Sequence, residues 1–284
     1  GSYSAPMRAV APIYQQARIP MVAGFAVHPD ITRAGDFVFR VGMLGPIEGA
    51  AAGEVVGKLL KAKTACQMTM DNDFGRALAE GFRARAAVLG IKIVWETLYP
   101  LGEMDFTPYL ARLRQLNPDV VFTSGYYNEA AQFCKQAKEM GLKSQILGEE
   151  GFDSPKFIEI AGKAAENVII VTNLNRDDAR PAARAFIDGY RKLYKMEPDM
   201  VGASNYDAFL VIADALRRAK STDAKVIRDA IASTRNFDGA TGTISGFNAL
   251  GECTKPIQAQ IVKDGQFRYY GEVSDLAIIT PPDK

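Results

Sequence analysis

The sequence predicts an α/β fold built on doubly wound parallel sheets. Apolar runs rich in β-branched residues alternate with amphipathic stretches, the alternation recurs at about 25–30 residues, and no stretch is low in complexity. Parallel neighbours cannot be joined by a tight hairpin, so strand–helix–strand spacing of this length is what a parallel sheet with crossover helices requires.

The chain opens "GSYSAP" and runs at once into a helical pattern, "MRAVAPIYQQA", where Pro12 removes a backbone hydrogen bond and is expected to kink the helix. Strands are expected at "IPMVAG" (19–24), "FVFRV" (37–41), "TACQMTMD" (64–71), "IKIVWETLY" (91–99), "DVVFTSGY" (119–126), "SQILGE" (144–149) and "NVIIVT" (167–172). Between them, "TPYLARLRQL" (107–116) puts Tyr109, Leu110, Leu113 and Leu116 on one helix face, with Thr107 as the expected cap and Pro108 in the first turn. "SPKFIEIAG" (154–162) repeats the device with Ser154 and Pro155 and stops at Gly162. After Thr172 helices dominate, at 181–195, 202–219 and 223–234. A Gly-rich segment, "FDGATGTISGFNALGE", leads to "IQAQIVKDGQFRYY", a hairpin pattern turning at Lys-Asp-Gly-Gln. A βα fold that begins at a strand-to-helix turn lacks the strand of its first unit, so further sequence is expected ahead of "GSYS".

The 284 residues admit one large domain or two modest ones, and 48% hydrophobic with 24% charged is an ordinary globular composition. The formal net charge of +1 comes from 34 basic and 33 acidic residues spread through the chain. With no basic run or stripe, nucleic acid and anionic membrane are not expected partners. No apolar run approaches the roughly 18 residues of a membrane span. Cys66, Cys134 and Cys253 are far apart, and His28 is the only histidine, so Cys and His cannot assemble a zinc site. Two buried thiols and one loop thiol are expected.

Enzyme signatures are absent: no GxGxxG or GxxxxGK[ST] follows a strand, and no GxSxG elbow occurs. His28 in "VHPD" reads as a turn residue, and "DNDFG" (71–75) as a strand-end turn that caps a helix. Polar and aromatic residues instead collect at the carboxyl ends of successive strands: Ser2 to Ala5, Phe25 to Val27, Asn72 to Phe74, Gly125 to Tyr127 and Glu149 to Gly151. In open α/β sheets that edge binds ligands. Aromatic walls, a hydroxyl at a helix N-terminus and one acidic group suit a small zwitterion or carboxylate better than a phosphate or a sugar.

The order of these motifs, from "GSYSAP" and "IPMVAGFAVHPDIT" through "DNDFG", "YPLGEMDFTPYLARLRQLNPDVVFTSGYYNEAAQFCKQAKEMGL" and "LGEEGFDSP" to "AAENVIIVT", resembles the type I periplasmic binding proteins of ABC importers, in particular the branched-chain and hydrophobic amino-acid group. The resemblance is collinear over essentially the whole chain. It implies two α/β lobes joined by three crossovers: residues 1–45 and 173–252 in lobe 1, and residues 46–172 and 253–284 in lobe 2. It also implies about 60–80 further residues of lobe 1 before "GSYS".

The same resemblance implies a site. Ser4 and the N–H of Ala5 would hold a ligand carboxylate, with Ser2 and Tyr3 lining the side-chain pocket. Phe25 matches a backbone contact, and Val27 stands where the family usually has a threonine, so one polar contact is missing. Phe74 would close over the ligand, Tyr126 would touch its carboxylate end, and Glu150 would pair with an α-ammonium. Glu149 is a departure from the pattern, and solvent exposure is expected for it. Asn205 or Tyr206 would lie near the side-chain pocket. The implied function is capture without catalysis, cofactor or metal, of an amino acid with an apolar or aromatic side chain. Alternatives are a small carboxylate lacking the amino group, or a sensor or regulator domain of the same fold. The implied partner is a membrane ABC permease. The implied protein is a monomer in the periplasm, or lipid-anchored outside the cytoplasm, without inserting directly in the membrane.

Overall fold

A computed structural model of the chain describes residues 3–283. Its strands are β1 Met21–Ala23, β2 Val38–Arg40, β3 Thr64–Met70, β4 Lys92–Tyr99, β5 Val120–Thr123, β6 Gln145–Gly148, β7 Ile169–Thr172, β8 Arg235–Gly239, β9 Gly242–Gly246, β10 Ile257–Lys263 and β11 Gln266–Val273. Its helices are α1 Ser4–Ala17, α2 Gly45–Glu54, α3 Asp73–Val88, α4 Thr107–Leu116, α5 Tyr127–Glu139, α6 Pro155–Ala161, α7 Pro181–Tyr194, α8 Met200–Ala219, α9 Ala224–Ala232 and α10 Leu276–Ile279.

The main sheet has seven strands in the order β11-β10-β7-β6-β5-β3-β4. From β4 to β7 the neighbours are parallel, and β10 and β11 join antiparallel. Alternate side chains feed opposite faces. Val120 and Phe122 pack with Leu78 and Phe82 of α3, whereas Val121 packs with Leu110 of α4 and Phe133 of α5. The β10–β11 turn is Asp264-Gly265, both at positive φ, as a two-residue hairpin requires.

Two parallel strands, β1 and β2, and an antiparallel pair, β8 and β9, form separate small ladders. They come with α1 and α7–α9 from the residues before 45 and between 173 and 252. Phe39 of β2 packs with Ala208, Val211 and Ala215 of α8. Arg40, fully buried, donates to the carbonyls of Ala26 (2.6 Å) and His28 (2.7 Å) and pairs with Glu252 at 3.1 Å.

All seven strands expected before Thr172 are present. The Gly-rich segment holds a strand pair, β8–β9, that its composition conceals. Pro12 lies inside α1, Ser154 caps α6 through its hydroxyl, and Asn72 caps α3 by accepting from Gly75 N–H at 2.8 Å. The expected cap of α4 is displaced by one residue: Phe106 holds that position, and Thr107 is already helical. His28 is the turn residue expected, its Nδ1 accepting from Asp30 N–H at 3.2 Å. The cysteines correct the expectation of a loop thiol, because all three are buried. Cys253 follows a loop but points inward, its S–H directed at the Val41 carbonyl.

Candidate ligand-binding site

The parallel strands run in the order β4-β3-β5-β6-β7, so the chain winds one way from β3 to β4 and the other way from β3 through β5 to β7. Between β3 and β5 the direction reverses, and the segments leaving their carboxyl ends diverge into a crevice. Phe74 leaves one side of that crevice, in the first turn of α3, and Tyr126 the other, just ahead of α5. Their rings stack, 5.5 Å apart at 15°. Tyr3, ahead of α1, packs on Tyr126 at 5.0 Å and meets Phe25 edge-on at 6.0 Å.

These four rings enclose one side of a cavity of about 200 Å³. Tyr3, Ser4, Phe25, Asp199 and Met200 reach it from the small-ladder residues, and Phe74, Tyr126, Glu150, Asp153 and Ser154 from the large-sheet residues. No Lys or Arg lines it, whereas three carboxylates do. Asp153 is committed to Arg176 and accepts from Thr172 Oγ1 at 2.6 Å, and Asp199 caps α8 by accepting from Gly202 N–H at 2.8 Å. Glu150 has no ion-pair partner among the described residues; Asn173 Nδ2 donates to it at 3.2 Å. Burial, and then the neighbouring Glu149, push its carboxyl well above the usual range. Ser4 Oγ is buried at the cavity with no hydrogen-bond partner, at the N-terminus of α1.

Of the residues singled out in the sequence, Tyr3, Ser4, Phe25, Phe74, Tyr126 and Glu150 converge on this cavity. Ser2 lies outside the described residues. Ala5 is exposed and is not in the lining. Val27 is fully buried in the core beside Phe74, and its carbonyl accepts from Gly45 N–H at 2.9 Å. Tyr206 packs on Phe186 and Asn205 Nδ2 donates to the Val201 carbonyl, and neither lines the cavity. Glu149 corrects the expectation of exposure. It is fully buried, and Gly125 and Gly151 N–H donate to its two oxygens at 2.8 and 2.6 Å. Two backbone donors satisfy its oxygens but offset burial only in part, and the carboxyl is still raised to about 8.

The sequence does not mark Asp153, Asp199 or Met200 as site residues, and it marks Ser154 only as a helix cap. Asp199 carried a usable signal, Asp-Met-Val-Gly, an N-cap three residues ahead of the N–H it accepts from. Nor does the sequence mark Glu48, which lies in α2 and accepts from Glu150 N–H at 3.1 Å.

Fold and cavity define the class, a type I periplasmic binding protein. The chain belongs to the Periplasmic binding protein family, whose model it matches over residues 1–266. It is 27% identical over 242 residues to the leucine-, isoleucine-, valine-, threonine- and alanine-binding protein of Pseudomonas aeruginosa, covering 84% of this chain and 64% of that protein. It therefore spans less than two thirds of that relative's length. A leucine binding protein from Thermotoga maritima has a crystal structure similar at TM-score 0.90 and 33% identity, covering 97% of this chain and 79% of that one. A solute binding protein of an ABC transporter from R. palustris, solved in complex with benzoate, shares the fold at TM-score 0.86 and 23% identity, over 96% of this chain and 77% of that one.

Among the described residues no group of three or more His, Cys, Asp or Glu is arranged to hold a metal, and no helix is long and apolar enough to cross a membrane.

Proposed function

We propose that the protein captures an amino acid with an apolar or aromatic side chain, outside the cytoplasm, for delivery to an ABC importer. The observation that carries this reading is the charge of the cavity: aromatic rings surround it, a buried Glu150 without a counter-ion faces it, and no basic side chain lines it. A cation brought to Glu150 gains a charge-assisted hydrogen bond and removes an uncompensated acid, and the ring faces favour the same charge. Ser4 Oγ and the N-terminus of α1 offer donors to the carboxylate at the other end of a zwitterion. Phe25, Phe74, Tyr3 and Tyr126 receive the side chain. In this reading residues 1–45 with 173–252, and 46–172 with 253–284, are two lobes that hinge shut on the ligand, and closure is favoured by contacts made only in the shut state. The protein works as a monomer and performs no catalysis.

A small carboxylate without an amino group is the second reading. What favours it is Val27, which supplies no side-chain hydrogen bond where a polar residue would complete an amino-acid clamp.

A thermal-shift screen of the twenty amino acids, benzoate and short aliphatic carboxylates tests both. A ligand at about a hundred times its Kd adds about 2.7 kcal/mol, which for a domain of this size moves Tm by several degrees. At least one apolar or aromatic amino acid is expected to do so. A response to benzoate alone establishes the second reading, and no response across the panel defeats both.

A further inference from the structure

Behind the cavity floor lie three carboxyls. Glu48 comes from α2, and Glu149 and Glu150 from the turn that leaves β6; all three are at most 2% exposed. The cations in the neighbourhood are engaged elsewhere: Arg40 with Glu252, Arg85 with Glu54, Arg176 with Asp153, while Lys255 donates to Thr241 Oγ1 at 2.7 Å. Three like charges without a counter-ion cannot all be held in a dry interior, so the cluster keeps protons.

The three sites are unequal. Glu149 has a backbone N–H on each oxygen. Glu150 has one amide donor, Asn173, and faces the cavity. Glu48 has one donor, Glu150 N–H, and its Oε2 is buried with no partner. Donors favour the ionised form, so Glu149 ionises first and Glu48 last. Glu149 is not part of the cavity lining, so a ligand there makes no direct contact with it.

We propose that Glu149 is a positioning residue that ionises ahead of Glu150 and, once charged, holds a proton on it in the empty site, and that Glu150 releases its proton to solvent when a cationic ligand group binds. The proposal rests on the ammonium reading above. It adds a consequence: a ligand without a cationic group enters against a neutral Glu150 and releases no proton, so one cavity accommodates both ligand types by changing protonation.

The titration directions agree with that order. Burial raises Glu149 to about 8 against the pull of its two N–H donors, so below that pH both it and Glu150 hold protons in the empty site, and above it the Glu149 charge opposes ionisation of Glu150. Glu150 is raised well above the usual carboxyl range by burial and then by Glu149, and lowered in turn by Lys255 and Arg40, with Asp153 raising it. Glu48 is raised by burial and then by both other acids. Glu149 also raises the hydroxyls of Tyr99 and Tyr126, as does the carboxylate of Glu129, which accepts from Gly102 N–H at 3.0 Å. From α3, Arg85 is paired with Glu54, Asp73 with Arg8, and Glu80 is exposed; β7 and α10 carry no charged side chain. Because the empty site holds the proton and the cation-bound site does not, affinity for a cation rises with pH up to the midpoint of Glu150 in the empty site and is flat above it.

Titration of the glutamate carboxyl carbons by ¹³C NMR, without ligand, is the first test. Glu150 is expected to titrate above the usual range in the wild type, and at least one pH unit lower in Glu149→Gln. Glu48→Gln, which mimics an already neutral acid, is expected to leave the Glu150 midpoint in place. A Glu150 midpoint in the ordinary range, or one unmoved by Glu149→Gln, overturns the proposal. Calorimetry in two buffers of different ionisation heat is the second test. L-leucine is expected to release up to one proton, with affinity rising up to about tenfold per pH unit below the midpoint, and benzoate to release none. L-leucine binding with no release overturns the proposal while leaving the ligand reading standing. If L-leucine does not bind, it is the ligand reading that loses support, and the NMR titration alone decides the role of Glu149. Should Glu149→Gln fail to fold, the wild-type order of titration still decides: Glu150 ionising before Glu149 overturns it.

Discussion

The cavity has two unlike sides. Its aromatic wall is assembled from separate segments, Tyr3, Phe25, Phe74 and Tyr126, whose rings touch one another. Its acidic floor is one connected network, in which Glu150 links Asn173 to Glu48, and Asn173 reaches on to Ser204 at 3.3 Å. Dispersion is non-directional and additive, so a wall tolerates small displacements of each ring. A buried polar network does not, because every member left without a partner incurs the desolvation cost of a polar group. The wall therefore sets the shape and size of what fits, and the floor sets its charge. Asn173 Oδ1 and Glu48 Oε2 on the floor are both buried without partners, and Ser4 Oγ at the start of α1 is the unpartnered polar atom that faces the cavity from the other side.

The strongest way to break the comparison is to remove a ring that belongs to both wall and core. Phe74 is 6% exposed and packs with Val27, Leu78 and Phe82 as well as on Tyr126. Phe74→Ala is expected to lower unfolding stability by about 3–5 kcal/mol in urea denaturation and to weaken binding of whichever ligand the screen finds. A stability loss with affinity unmoved assigns the ring to packing alone. The next effect concerns the floor. Glu150→Gln keeps the shape and removes the charge, so L-leucine is expected to bind about 1.5–3 kcal/mol more weakly, roughly ten- to a hundredfold by calorimetry. Benzoate binding, which leaves Glu150 neutral, is expected to change little. Equal losses for both ligands contradict the division of labour between wall and floor.

The same contrast explains what the sequence discloses. Phe25, Phe74 and Tyr126 each stand just past a strand that the apolar pattern marks, β1, β3 and β5. Nothing local marks Glu48. In "GPIEGAAAGE" it sits where a solvent-facing acid would, but α2 packs closely on α3 and Glu48 is buried against the turn that leaves β6. A Cβ on Gly49 would lie 2.0 Å from the Leu78 carbonyl oxygen, and one on Gly81 1.9 Å from that of Pro46, so both positions must be glycine for the helices to meet. That approach is a tertiary fact, invisible to helical periodicity. The burial of Glu149 is hidden from the sequence for the same reason, because its two N–H donors, Gly125 and Gly151, come one from the segment after β5 and one from its own turn. The pair β8–β9 escaped notice because Gly239, Gly242 and Gly246 make its strands read as loop.

The smallest effect sharpens the comparison at the rim, where wall and floor are held together. Arg8 of α1 donates to Asp73 of α3 at 2.6 Å and to Asp30 at 2.9 Å, and Asp73 adjoins Phe74. The first pair joins the two sets of residues assigned above to different lobes, beside the ring that closes the cavity. Asp73 also sits in the first turn of α3, where a negative charge is favoured without Arg8. Removing the arginine therefore leaves a tolerated acid, and a partly exposed ion pair contributes little to begin with. If the pair forms only as the lobes meet, Arg8→Ala is expected to hasten ligand release in stopped-flow measurements while leaving the rate of arrival nearly unchanged. The difference should disappear in high salt, which screens the pair. Release at the wild-type rate would mean that the pair takes no part in closure and that wall and floor are held together by the ligand and the rings alone.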